Sequence, residues 1–281
     1  MKATCAFAAL LLAISPATTA QDAVFDVHVH LRNGEASVDE YEATLESANI
    51  RLAGFGAMWF GGPHQALQGE IEDTRARNDG LIALAAKHPK MLPIATVHPY
   101  DGQAAIDELK RVASRGIRVL KLHAHTQKFD VADPRVLALV REAGALGVVV
   151  LMDNANILPG DSENLFNLAV NAPKTKFVFA HMGALNFRFW NILALARTAD
   201  DFFMDNIYFD ISGTVVLVAD SPIEDEFIWT LRNVGIDHVL LGSDYPQLSL
   251  ARTVDALGRL DLDEGEKSRI RDGNARKLFG R

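Results

Sequence analysis

Short runs rich in β-branched and apolar residues recur along this chain, each followed by a longer segment of helical periodicity. This alternation constrains the fold more than any other feature. The strand-like runs are residues 24–30, 50–60, 91–98, 117–123, 148–153, 176–181, 207–212 and 238–243. The helical segments are 38–48, 70–88, 104–115, 134–146, 162–171, 187–199, 223–234 and 250–257. Strands separated by helices pair in parallel, because only a crossover connection returns the chain in the same direction. Eight such units over residues 21–281 predict a single (β/α)8 TIM barrel, whose usual size is about 250 residues. An open doubly wound sheet is the alternative, and it lacks the glycine-rich turn expected after its first strand. Pro134 behind Asp133 predicts a helix start, and Gly116, Gly147 and Gly235 predict helix ends.

Residues 1–20 read as an export signal. Lys2 precedes an apolar core over 6–14, Pro16 breaks it, and Thr18-Thr19-Ala20 offers a small-residue cleavage site. Cleavage after Ala20 leaves 261 residues, a net charge of −9 in place of −8, and no cysteine, since the single one is Cys5. The expected location is periplasmic or secreted. Disulfides and cysteine ligands are excluded there, so chemistry must rest on His, Asp, Glu, Lys or Ser. An acidic chain without a basic run is not expected to bind nucleic acid. No further apolar run reaches membrane-spanning length. The expected partner is a small-molecule substrate, with a homo-oligomer left open.

Seven of the nine histidines sort to one end of the pattern, and only His88 and His238 fall near the other. His28 and His30 end the first run, His64 follows the second, and His98 ends the third. His123 and His125 close the fourth and His181 the sixth, which is the face where barrel enzymes build their sites. Residues two apart on a strand share a face, so His28 and His30 can meet one metal ion while Val29 faces the helices. Asp26 has the same parity and is expected one layer deeper. Asp244 closes the last run beside the first, where it either binds the ion and serves as general base or caps a helix. His181 either binds metal, orients a water or carbonyl, or is a core histidine. Lys121 and His123 share a parity that faces inward. Trp59, Phe60 and His64 either line a pocket or pack.

Five stretches, in this order, resemble the amidohydrolase-related family of metal-dependent (β/α)8 enzymes. They are Asp26-Val27-His28-Val29-His30, Gly116 to His123 with Gln127 and Phe129, Ala180-His181-Met182-Gly183, Gly242-Ser243-Asp244-Tyr245-Pro246, and Asp272 to Phe279. The resemblance implies His28, His30 and Asp244 as ligands of one divalent metal and His181 as the group that activates water or substrate. It also implies a strand-5 histidine, and here Asp153 stands in that place. Asp153 is then either a further ligand, favouring manganese over zinc, or the partner of Lys121. Lys121 itself either anchors a substrate carboxylate, bridges two metals when carboxylated, or pairs with Asp26 or Asp153.

The function expected from these residues is metal-dependent hydrolysis of an amide, lactone or ester in a small, carboxylated substrate. Zinc is the expected ion and manganese the second choice. Asp244 and His181 carry the proton, while Lys121, His123, Trp59 and His64 contact substrate. Metal-dependent non-oxidative decarboxylation is the second reading. A degenerate barrel that binds a periplasmic ligand without turnover is the third.

Overall fold

The computed structural model describes residues 23–62 and 64–281, so the export segment 1–20 lies outside the described residues. Eight parallel strands follow one another in chain order around the sheet. The first half comprises β1 (Val24–His30), α1 (Glu35–Ser47), β2 (Leu52–Met58), α2 (Ile71–Lys87), β3 (Met91–Thr96) and α3 (Gln103–Ser114). Next come β4 (Val119–Leu122), α4 (Ala124–Gln127), α5 (Pro134–Ala145), β5 (Val149–Met152), α6 (Asp161–Asn171) and β6 (Phe177–Phe179). A tight helical segment (Ala180–Asn191) then leads into α7 (Ile192–Ala196) and β7 (Ile207–Asp210). The chain finishes through α8 (Thr214–Val218), α9 (Glu224–Val234), β8 (Val239–Leu240), α10 (Leu250–Arg259), α11 (Glu264–Ser268) and α12 (Asn274–Phe279). This is the single (β/α)8 barrel the alternation predicts. Among the described residues no helix is long and apolar enough to cross a membrane.

The punctuation is where the sequence places it. Asp133 accepts a hydrogen bond from the Arg135 N–H ahead of Pro134, and Gly116, Gly147 and Gly235 all adopt positive φ. Two segments differ from expectation. Residues 187–199 do not form one helix, because the segment after β6 runs through successive left-handed residues before α7 begins. The eighth strand stops after Leu240, and the chain from Leu241 to Tyr245 bonds to β1 one contact at a time. Val27 donates to the Leu241 carbonyl at 3.0 Å, Asp244 to that of His28 at 2.9 Å, and His30 to that of Tyr245 at 2.8 Å.

Phe25, Val27, Leu92, Ile94, Leu151 and Val178 fill the barrel, and large side chains on one strand are matched by small ones on the next. A Cβ on Gly54 would lie 2.6 Å from the Phe25 ring, and one on Gly56 would lie 2.9 Å from the Val27 carbonyl oxygen. Phe279 of α12 stacks on Phe25 at 6.1 Å and covers the amino-terminal end. Val24 and Val29 join the outer core between strands and helices.

The first strand does not keep one parity along its length. Asp26 lies opposite Phe55 and Val29 opposite Ala57, so three steps on β1 meet two on β2. One extra residue is a bulge, and it exchanges the faces of everything beyond it. Phe25 and Val27 therefore point inward below it, and His28 and His30 point inward above it. Asp26 is thereby turned out of the barrel, which corrects the expectation of a deeper carboxylate beneath the histidines. Its oxygens accept from the backbone N–H of His28 (3.1 Å) and Ser243 (2.8 Å), the Ser243 hydroxyl (2.5 Å) and the Tyr41 hydroxyl (2.8 Å). Burial pushes this carboxyl up to about 6 against the pull of those donors, so it is ionised at neutral pH. One buried anion thus ties β1 to the β8 end and to α1.

Tyr41→Phe removes one donor from this anion and should lower the unfolding free energy by about 1–2 kcal/mol in urea titrations. Asp26→Ala strands several buried donors at once and should cost about 3 kcal/mol or more. Equal, near-zero effects would show that the seam is held by other contacts.

Candidate active site

At the carboxyl ends of the strands lies a cavity of about 460 Å³, walled in part by His30, Lys121, His123, Asp153, His181 and Asp244. Three side chains converge at its floor. His28 Nε2 lies 3.1 Å from His30 Nε2, and Asp244 Oδ1 lies 3.4 Å and 3.3 Å from these two atoms. Two nitrogens and one oxygen bound to an ion at about 2.0–2.2 Å would stand about 3–3.5 Å apart, so the triangle has the size of a metal coordination face. The tautomers agree. His28 Nδ1–H donates to Asp210 Oδ2 at 2.8 Å, and His30 Nδ1–H donates to the Phe60 carbonyl at 2.5 Å. Each ring thereby presents an Nε2 lone pair to the centre, and an outer carboxylate or carbonyl fixes its orientation. Burial, with the charge of Lys121, pushes His28 down to about 4 and keeps it neutral. These three residues form a group that could hold a metal ion.

Asp153 lies outside this triangle. It follows β5, and its Oδ1 sits 3.4 Å from His181 Nε2 and 3.6 Å from His123 Nε2. The Lys121–Asp153 ion pair is not formed either. Lys121 is fully buried, with Nζ 3.4 Å from His28 Nε2. Burial lowers its pKa against the pull of Asp153, Asp244 and Asp210. Burial also opposes the charge on Asp153, but the His181 hydrogen bond and the neighbouring cations outweigh it and hold the carboxyl well below the usual range.

His181 has an acceptor at each ring nitrogen. Nδ1 donates to the Ser212 carbonyl at 2.9 Å, with the Ser212 hydroxyl at 3.0 Å, and Nε2 faces Asp153. Burial disfavours the cation, but the bond to Asp153 and the charges of Asp210, Asp153 and Asp244 lift the imidazole to about 9. The backbone that aims it is strained. His181, Met182, Gly183 and Ala184 all have φ between 47° and 80°, and such a conformation costs roughly 1–2 kcal/mol per non-glycine residue. Two bonds hold the run in place: Gly183 donates to the Asn154 carbonyl at 2.9 Å, and the Thr214 hydroxyl donates to the His181 carbonyl at 2.5 Å.

Other expected contacts fall elsewhere. Trp59 lies on the outer side of β2, against Gly34 and Gly80 and 6.0 Å from the Arg77 guanidinium. It does not wall the cavity, whereas Phe60, one residue on, does. His64 pairs its backbone with Gly61 and is likewise absent from the wall. His123 is in the wall, pushed down to about 3 by burial against the charge of Asp153. His98 donates from Nε2 to the Gln127 carbonyl and serves to brace the β3 end.

Sequence reasoning did not single out Asp210 or Arg32. Asp210 is fully buried on β7, and an acid in the apolar run Ile207-Tyr208-Phe209-Asp210-Ile211 was a signal of a buried pair. Gly242 makes room for it, because a Cβ there would lie 2.9 Å from both Asp210 Oδ1 and His28 Cβ. Arg32 lines the rim without a carboxylate partner among the described residues, its stem resting over Gly62.

No curated protein matches this chain. Its fold is similar to that of 5-carboxyvanillate decarboxylase from Sphingomonas paucimobilis, at 17% identity and a TM-score of 0.72, covering 92% of this chain and 99% of that one. It is also similar to 2,6-dihydroxybenzoate decarboxylase from Rhizobium, at 20% identity and a TM-score of 0.69, covering 92% and 98%. A third match is a dihydroxybenzoic acid decarboxylase from Polaromonas sp. JS666 with bound manganese and the inhibitor 2-nitroresorcinol, at 17% identity and a TM-score of 0.64, covering 92% and 97%. The amidohydrolase family profile matches residues 25–281. With its barrel and its strand-end triad in place, the chain belongs to the amidohydrolase family.

Proposed function

We propose that this protein is a metal-dependent, non-oxidative decarboxylase of a small aromatic acid, of the hydroxybenzoate type named for its structural neighbours. The observation that carries the reading is the pair of acceptors around His181. A ring that donates from both nitrogens has no lone pair with which to take a proton from water, which hydrolysis would ask of it. It does have a proton to give, which decarboxylation requires.

A divalent ion on His28, His30 and Asp244, manganese by analogy with the Polaromonas enzyme, would supply an electrostatic anchor for substrate oxygens. Lys121, with no carboxylate in ion-pair contact among the described residues, and Arg32 at the rim give the same wall positive charge for an acid. The carbon bearing the carboxylate accepts the His181 proton, and the bond to CO2 then breaks with its electron pair remaining on the ring. Asp153 holds the imidazolium in place and favours its reprotonation from solvent. Phe60 supplies an apolar wall for a ring.

With 2,6-dihydroxybenzoate as trial substrate, the manganese-loaded protein should release CO2 and incorporate no solvent oxygen into the organic product. EDTA should abolish turnover, and Mn²⁺ should restore it more fully than Zn²⁺. Solvent oxygen in the product would instead support hydrolysis, and binding without CO2 would support a ligand-binding barrel. His181→Gln should lower kcat by about 10²–10⁴-fold with a much smaller change in KM. Asp153→Asn should act in the same direction through kcat, because it loosens the donor and leaves the triad intact. Asp210→Asn should weaken metal binding about 10–100-fold in chelator competition, and Gly242→Ala, which crowds the same contact, should do likewise.

A further inference from the structure

The cavity does not end at its polar wall. A second depression of about 720 Å³ adjoins it, and Ala155, Ile157, Ala184 and Leu217 line both. Its character is different. Ile157 stands 68% exposed, Leu185 58% and Leu217 60%, on three separate segments: the β5–α6 connection, the turn that follows the strained run after β6, and α8. Among the described residues, Glu163 is the one ionisable residue in the groove wall. Large apolar side chains gathered from three segments and left in water mark a surface that something apolar covers. Because the groove opens into the catalytic cavity through shared residues, a molecule held by its acid group at the triad has this groove as the continuation of its path.

We propose that the natural substrate is an amphipathic acid, with its carboxylated head in the cavity and an apolar chain of several carbons in the groove over Ile157, Leu185 and Leu217. The assignment of the head rests on the decarboxylase reading, whereas the assignment of the chain rests on the groove alone. Each buried methylene contributes about 0.8 kcal/mol, close to a fourfold gain in affinity. A chain with three or more methylenes in the groove should therefore bind at least tenfold more tightly than its unsubstituted parent.

The test is calorimetric titration of the manganese-loaded protein with two pairs of probes. One pair is 2,4-dihydroxybenzoate and its 6-hexyl derivative, and the other is acetate and octanoate, which carry the chain comparison without an aromatic ring. A gain of tenfold or more in either pair, reduced at least threefold by Leu185→Ser and by Leu217→Ser, supports the proposal. Failure of both benzoates to bind counts against the decarboxylase reading, and the alkanoate pair then decides the groove. A gain below twofold in every pair that binds, no binding by any probe, or a gain unchanged in both variants overturns the proposal. So does a dimer that dissociates when Leu185 or Leu217 becomes serine, since the groove would then belong to a second copy of the chain.

Discussion

The seam between β1 and the end of β8 is the interaction on which the rest depends. A barrel of parallel strands exists only if its last strand returns to its first, and here the short ladder of Val239 and Leu240 is spent on β7, leaving, among the described residues, only an isolated Val29–Tyr245 bridge toward β1. The closure comes from three backbone bonds and from the Asp26 carboxylate, which gathers donors from both sides. His28 and His30 lie on one side of this seam and Asp244 on the other. The distance between these candidate metal ligands is therefore set by the same contacts that close the barrel. The bulge in β1 makes both functions available to one strand, sending Asp26 outward to fasten the seam and the two histidines inward to line the site.

Electrostatics at the mouth follow from that arrangement. Asp210 and Lys121 are fully buried, and Asp153 and Asp244 lie close by in the cavity wall. Burying charge is costly unless each group is paired or held by an ion. The carboxylates are satisfied in two sets: Asp210 through His28, and Asp153 through His181 and His123. Asp244 faces the two Nε2 atoms, and a cation at the triangle satisfies both imidazole lone pairs and this carboxylate together. The same division separates the two sites, because burial keeps His28 of the triangle neutral while Asp153 favours the cationic form of His181. The aspartate in the strand-5 position lies outside the triad and pairs with His181, which is the pairing on which the proposed donor role rests.

Strand parity made much of this legible. His28, His30, Lys121, His123, His181 and Asp244 all sit at strand ends with the side chain inward, as the alternation of apolar residues implies. Parity failed where the backbone departs from it. The β1 bulge contains no glycine or proline to announce it, so Asp26 was placed on the wrong face. Trp59 and Phe60 are adjacent just past the end of β2, and only Phe60 of the two faces the cavity. The run Thr214-Val215-Val216-Leu217-Val218 is β-branched and apolar, the composition of a strand, yet it forms α8. Tertiary packing overrides propensity there, since Val215 and Val218 are buried and the hydroxyl of Thr214 caps the strained His181 carbonyl. Asp153 could be located from sequence but its partner could not, because the choice between triad, Lys121 and His181 is a matter of an ångström or two at the mouth.

The strained run after β6 joins chemistry to specificity. His181, Met182, Gly183 and Ala184 carry left-handed backbone in succession, and a conformation this unfavourable persists only where surrounding contacts over-determine it. Those contacts are shared: Asn154, next to Asp153, accepts from both Gly183 and Trp190 and donates to Ser162. The first residue of the run is the proposed proton donor, while Gly183, Ala184 and the following Leu185 wall the apolar groove. A ligand that packs on Leu185 would therefore press on the segment that positions His181 in the cavity wall. Binding energy from an apolar chain would in this way be expressed at the proton donor as well as in affinity, the arrangement by which remote contacts raise kcat and not merely lower KM.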